Sequence, residues 1–185
     1  MTTHPDRSRA KRRPEARPGA RPLTVLTVCL GNICRSPTAE AALVEAAAAA
    51  DLPLTVHSAG TGAWHVGNPP DARMRAAGAE VGLTIDGTAH RATAEDLADA
   101  DLVVAMDRDN LADLERLAAT AGVDTPIVLF RTFDPDAGPG AEVPDPYYGG
   151  PEGFAEVVAM CRRTAGALVE ALASGGVDGA LSARR

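Results

Sequence analysis

The sequence predicts an α/β fold in three layers, with a central four-stranded parallel sheet flanked by helices. Three observations predict it. Four short apolar runs rich in Val, Leu and Ile recur along the chain, and each is separated from the next by a stretch long enough for a helix. Gly, Pro or Asp marks most of the junctions. At 185 residues the chain has room for one well-cored domain and too little for two.

The first run, LTVLTVCL from Leu23 to Leu30, is β-branched, bounded by Pro22 and Gly31, and reads as a buried strand. A helix is expected from Ser36-Pro37, a hydroxyl cap followed by Pro at the first helical position, through the Ala-rich stretch to about Ala50. LTVHSAG is the second strand and ends on glycine. PPDARMRAAGAEVGL carries the next helix, and a short one begins near Thr93. DLVVAM is the third strand, followed by a helix from Asp107 or Arg108 to Ala121, and TPIVLF is the fourth. A Pro/Gly/Asp-rich connection from Arg131 to Gly150 precedes a final helix from about Glu152 to Ser174. The folded domain is thus expected over 23–174. Residues 1–22 read as a disordered basic arm and 175–185, GGVDGALSARR, as a flexible, frayed tail.

The net charge of −7 conceals an asymmetry. The first 22 residues hold seven Arg/Lys against Asp6 and Glu15, a local +5, which leaves the rest of the chain at −12. A basic arm can touch nucleic acid or an anionic membrane, but one short charge run without interleaved aromatics reads more simply as a solvated tail. The acidic body offers no general nucleic-acid surface. AALVEAAAAA carries a Glu and falls short of the eighteen or so apolar residues of a membrane span. The basic start lacks the apolar run and cleavage site of a signal peptide. Three cysteines, an odd and sparse count, argue for reduced thiols and a cytoplasmic setting, with export by a non-classical route left open. The oligomeric state is not legible.

VCLGNICRSPTAE, Val28 to Glu40, carries the chemistry. In open α/β sheets ligands bind beyond the carboxyl ends of the strands, and Cys29 stands at such an end. A strand turning into a helix aims backbone N–H groups at one spot, reinforced by the helix dipole. Gly31 is expected to permit the backbone angles of such a nest, and Arg35 adds a planar fork that suits phosphate oxygens. Thiols in that field lose their proton readily, so Cys29 reads as a nucleophile behind a bound oxyanion. A buried strand cysteine is the commoner fate of a thiol, but it leaves Gly-Asn and Arg-Ser-Pro without purpose. Zinc is disfavoured, because Cys29 and Cys34 lack the two-residue spacing and no paired Cys or His follows. A Walker loop is excluded, because the only lysine is Lys11 in the arm.

This stretch resembles the signature of the low-molecular-weight protein tyrosine phosphatases, Cys-x5-Arg-Ser with Gly-Asn-Ile-Cys inside. Further segments agree in order: SAGTGAWHVGNPPD at 58–71, HRA at 90–92, AMDRDN at 105–110 and VPDPYYGG at 143–150. The resemblance implies a phosphate-binding loop after the first strand, in which Leu30, Gly31, Asn32, Ile33 and Cys34 bind phosphate between Cys29 and Arg35. It also implies a metal-free, cofactor-free hydrolysis of phosphotyrosine on protein substrates through a cysteinyl-phosphate.

The leaving oxygen needs a proton donor. Asp134-Pro135 and Asp145-Pro146 are the two loop candidates, each also a plain turn initiator; the resemblance selects Asp145. It places Asn32, Ser58 and His90 as supports of the loop and Ser36 as hydrogen-bond partner of the sulfur. On the residues alone, Ser36 is equally a helix cap and Ser58 a strand terminator. Only 3% of the chain is aromatic, yet Trp64, Tyr147 and Tyr148 all fall in loops, which suggests walls for a flat ring. His65 is expected at the mouth, or as a solvated loop residue. Cys34 is placed to form a protective disulfide with Cys29. Cys161 keeps helical spacing with Val157, Val158, Ala165 and Leu168 and reads as core.

Alternatives of the same fold are a protein-arginine phosphatase, which tends to carry Thr where Ile33 stands, and an arsenate reductase, which needs further redox cysteines. An inactive phosphate-reading module is a third, against which the retained Cys29, Arg35 and Asp145 speak.

Overall fold

The computed structural model describes residues 21–182. Four strands, β1 (Leu23–Cys29), β2 (Leu54–Gly60), β3 (Leu102–Ala105) and β4 (Ile127–Leu129), pair in parallel in the order β2-β1-β3-β4. The helices are α1 (Arg35–Ala49), α2 (Ala72–Glu80), α3 (Ala94–Asp99), α4 (Arg108–Ala121) and α5 (Pro151–Ser182), with a 3-10 turn at Phe130–Phe133.

Alternation along β1 divides the core. Val25 and Cys29 face one side, with Leu43 of α1 and Val157, Cys161 and Leu168 of α5. Leu26 and Val28 face the other, with Leu97 of α3 and Leu114 of α4. All seven residues of β1 are paired on the β2 side, and four also on the β3 side. Small residues at Ala39, Ala42 and Ala47 seat α1 closely, which suits a core poor in aromatics. The chain runs from β1 to β2 and then crosses back to β3 on the other flank of β1. Strand order therefore reverses beside β1, and Cys29 ends at that crevice opposite Gly60.

The helix starts expected near Thr93 and Asp107 are found there: Thr93 and Asp96 form a capping box on α3, Asp107 caps α4, and Gly122 closes it at φ 68°. Two expectations are corrected. Helix α1 starts at Arg35 with Cys34 at the cap and no side-chain cap bond, and Pro37 is its third residue. Ser36 points inward instead, toward sulfur. Residues 175–182 are helical rather than frayed: the chain turns at Gly176 (φ 62°) and continues, with Ala180 buried and Val177 and Leu181 against the core. The Gly-Gly pair suggested a stop, but Val177, Ala180 and Leu181 keep helical spacing and fold back.

The expected arm lies outside the described residues except for Arg21 and Pro22; Arg21 pairs with Asp101 at 2.6 Å. Among the described residues no helix is long and apolar enough to cross a membrane.

Candidate active site

Helix α1 follows β1 after only five residues, 30–34, so the chain must turn tightly around the sulfur of Cys29. Asn32 makes the turn at φ 53°, a left-handed conformation that Asn tolerates better than most residues. Gly31 is absent from the positive-φ glycines, so the expected backbone role belongs to its neighbour. A Cβ on Gly31 would meet the His65 ring, with Cδ2 at 2.9 Å, and would push that ring aside. Gly60, read only as a strand end, is a second close approach: its Cβ would fall 2.8 Å from the Leu30 carbonyl.

Asn32 also fixes the loop through its side chain. Nδ2 donates to Ser36 Oγ at 2.9 Å and to Ser58 Oγ at 3.0 Å, while Oδ1 accepts from the His90 backbone N–H at 3.0 Å. The Asn32 N–H points at Cys29 Sγ from 3.2 Å, and Ser36 Oγ lies 3.1 Å from the same sulfur. Ser36 Oγ already accepts from Asn32, so its own proton is free for Cys29 Sγ or for the Ala59 carbonyl at 3.2 Å. His90 thus supports the loop through its main chain, with its ring turned toward Asp96. Behind Ser58, burial holds the Glu40 carboxyl above the usual range, against a hydrogen bond from Ser58 and the charges of His57 and His90.

Arg35 is 4% exposed, and three of its five N–H groups are paired. Nη1 donates to Asp107 Oδ2 at 2.6 Å and to the Val143 carbonyl at 3.3 Å; Nη2 donates to Asp145 Oδ2 at 2.9 Å. Burial opposes its charge, but Cys29, Asp145 and Asp107 more than offset this and hold the guanidinium above its ordinary value. Asp107 was read only as a helix start. Its Oδ1 does cap α4 through the Asn110 N–H, while Oδ2 orients Arg35. A cap residue at the end of β3, beside β1 at the switch point, was the available signal.

The two Asp-Pro candidates separate cleanly. Asp134 is buried under Arg163 (2.7 and 2.8 Å) and Arg131 (3.0 Å), and the Arg163 hydrogen bonds, against burial, bring its carboxyl down to about 2. Asp145 lines the cleft.

The cleft encloses about 350 Å³. Cys29 (2% exposed), Gly31, Ile33 and Arg35 form its floor, and Leu30 and Cys34 lie beside them. Trp64, His65, Tyr147 and Tyr148 line its sides with Asp145. Tyr147 stands edge-on to Tyr148 at 5.1 Å and 6.2 Å from His65. Of the residues expected at the substrate, all but Asn32 line this cleft, while Asn32, Ser36, Ser58 and His90 form the layer behind. All three cysteines are free thiols. Burial first, then Asp71 and Cys29, pushes the Cys34 thiol up to about 12, and burial does the same to Cys161 on α5. Among the described residues no group of three or more His, Cys, Asp or Glu is arranged to hold a metal ion.

A family model described as low molecular weight phosphotyrosine protein phosphatase matches residues 24–177. A Streptomyces coelicolor protein named low molecular weight protein-tyrosine-phosphatase is 43% identical over 152 residues, covering 80% of this chain and 92% of the relative. The human low molecular weight phosphotyrosine protein phosphatase is 36% identical over 80% of this chain and 94% of its own. Among solved structures, a protein tyrosine phosphatase from Entamoeba histolytica with Hepes in its active site superposes with a TM-score of 0.76 at 35% identity, covering 83% of this chain and 98% of that one.

Proposed function

The chain belongs to the low molecular weight phosphotyrosine protein phosphatase family, and from that premise we propose how its own residues carry the reaction. It is a protein-tyrosine phosphatase, and its substrates are phosphotyrosine-bearing proteins.

Cys29 Sγ attacks phosphorus as the bond to the tyrosyl oxygen breaks, and Asp145 gives that oxygen its proton. Arg35 turns its fork from Asp145 to the equatorial phosphate oxygens, where charge spreads in the transition state, while Asp107 keeps its hold on the other side. Water then attacks the cysteinyl-phosphate, the Asp145 carboxylate takes its proton, and the sulfur departs with its charge shared by the Ser36 hydroxyl and the Asn32 N–H. Trp64 and Tyr147 flank the ring. Ile33 offers the ring an apolar contact and no hydroxyl for a guanidinium.

The observation that carries this reading is a buried guanidinium bridging Asp107 and Asp145 beside the floor thiol. The two carboxylates preload Arg35 where a phosphate would displace one of them. Replacing Cys29 with Ser is expected to abolish turnover of a phosphotyrosyl peptide, and Asp145→Ala to bind the peptide but turn it over slowly. Full activity in the Ser variant would remove Cys29 from the role.

A further inference from the structure

We propose that Arg73 is a positioning residue for the general acid: a clasp that ties the loop carrying Asp145 to the phosphate loop. The inference rests on the reading of Asp145 as the acid.

Five hydrogen bonds and two ring contacts make the clasp. The Asp71 N–H donates to the carbonyl of Ile33 in the phosphate loop at 2.8 Å. The Asp71 carboxylate receives Arg73 twice, Nε at 3.0 Å on Oδ1 and Nη2 at 2.7 Å on Oδ2, and it also caps α2 through the Arg73 N–H. The remaining arm of the fork, Nη1, donates to the Tyr147 carbonyl at 3.1 Å. The guanidinium carbon lies 5.3 Å from the Tyr147 ring centre and 4.6 Å from that of Phe154, so it is held between the substrate wall and the first turn of α5.

The Tyr147 N–H, on the other side of the same residue, donates to Asp145 Oδ1 at 3.1 Å. Asp145 has a second tie, Arg35 Nη2 at 2.9 Å. A bound phosphate takes Arg35 away, and the Tyr147 amide becomes the main link between the acid and the frame. Arg73 grips the peptide that carries that amide. Asp71 already occupies the cation's charge, so Arg73 acts through geometry more than as a free charge at the mouth.

Positioning the acid matters in proportion to how much the leaving group needs a proton. Phenol, like tyrosine with a pKa of about 10, leaves poorly as an anion, whereas 4-nitrophenolate leaves readily. The test compares kcat/KM for phenyl phosphate and 4-nitrophenyl phosphate in the full chain, for wild type, Arg73→Met, Arg73→Lys and Asp145→Asn. Arg73→Met is expected to lose about tenfold more on phenyl phosphate than on 4-nitrophenyl phosphate, part of the 10²–10⁴ that an acid supplies. Arg73→Lys, which keeps the charge but not the planar fork, should fall between. Equal losses on both substrates, or none, overturn the clasp. If Arg73→Met does not fold, the ratio in Arg73→Lys decides alone: skewed against phenyl phosphate it supports the clasp, unchanged from wild type it overturns it. A flat response in Asp145→Asn would instead sink the assignment of the acid.

Discussion

Asn32 shows how much one residue can hold. Its backbone sits in the left-handed region at a cost of roughly 1 kcal/mol, and its amide group reaches Ser36, Ser58 and the His90 main chain in return. The strained turn is what aims its N–H at the sulfur. Asn32→Ala keeps the β1 strand and the α1 helix but frees this turn. It is expected to lower kcat/KM on an aryl phosphate by about a hundredfold, the scale of an ångström-sized misplacement, with far-ultraviolet circular dichroism unchanged. Unaltered kinetics would mean that the flanking elements alone shape the loop. Ser36 makes a related point: on the residues alone a hydroxyl before Pro reads as a cap, the resemblance pointed to sulfur, and the structure gives no side-chain cap and 3.1 Å from Ser36 Oγ to Cys29 Sγ.

At the scale of elements, the carboxylate pair Asp134 and Asp145 divides structure from chemistry. Asp134 locks the 3-10 turn and its following loop to α5 through Arg131 and Arg163. Its carboxyl is brought from the ordinary 3.8 to about 2, so it stabilises the fold fully above pH 4, and that contribution fades as the pH falls toward 2. Asp134→Ala should lose about 2 kcal/mol in urea unfolding at neutral pH, the worth of hydrogen bonds to a charged group. The gap to wild type should close as the pH falls toward 2. A gap that stays constant there would separate the stabilisation from the ion pairs.

Element identities were legible because local signals coincide. Asp107 and Thr93 cap their helices, Gly122 ends one, and LTVHSAG spans β2 to the residue. What was not legible depends on partners distant in sequence. Residues 177–182 pack because the core receives Val177 and Leu181 after a turn at Gly176. Arg73 meets Tyr147 across 74 positions. Asp107 doubles as cap and arginine anchor because β3 lies beside β1.

Across the whole molecule, sheet order makes the site. The reversal beside β1 leaves a crevice at its carboxyl end. The loop after β1 fills the floor, the loops after β2 and β4 supply the walls and the acid, and the α4 cap steadies the arginine. The three Phe side chains are buried in the core, and the other half of the six aromatic side chains lines the cleft. In the proposed reaction phosphate passes through the sulfur of Cys29. Acid quenching during turnover of a phosphotyrosyl peptide, followed by peptide mapping in a mass spectrometer, tests it most directly. Phosphate is expected on Cys29 alone, accumulating further when Ser36 is replaced by Ala and sulfur departs more slowly. Phosphate on another residue, or turnover with no phosphoenzyme in either protein, would contradict it.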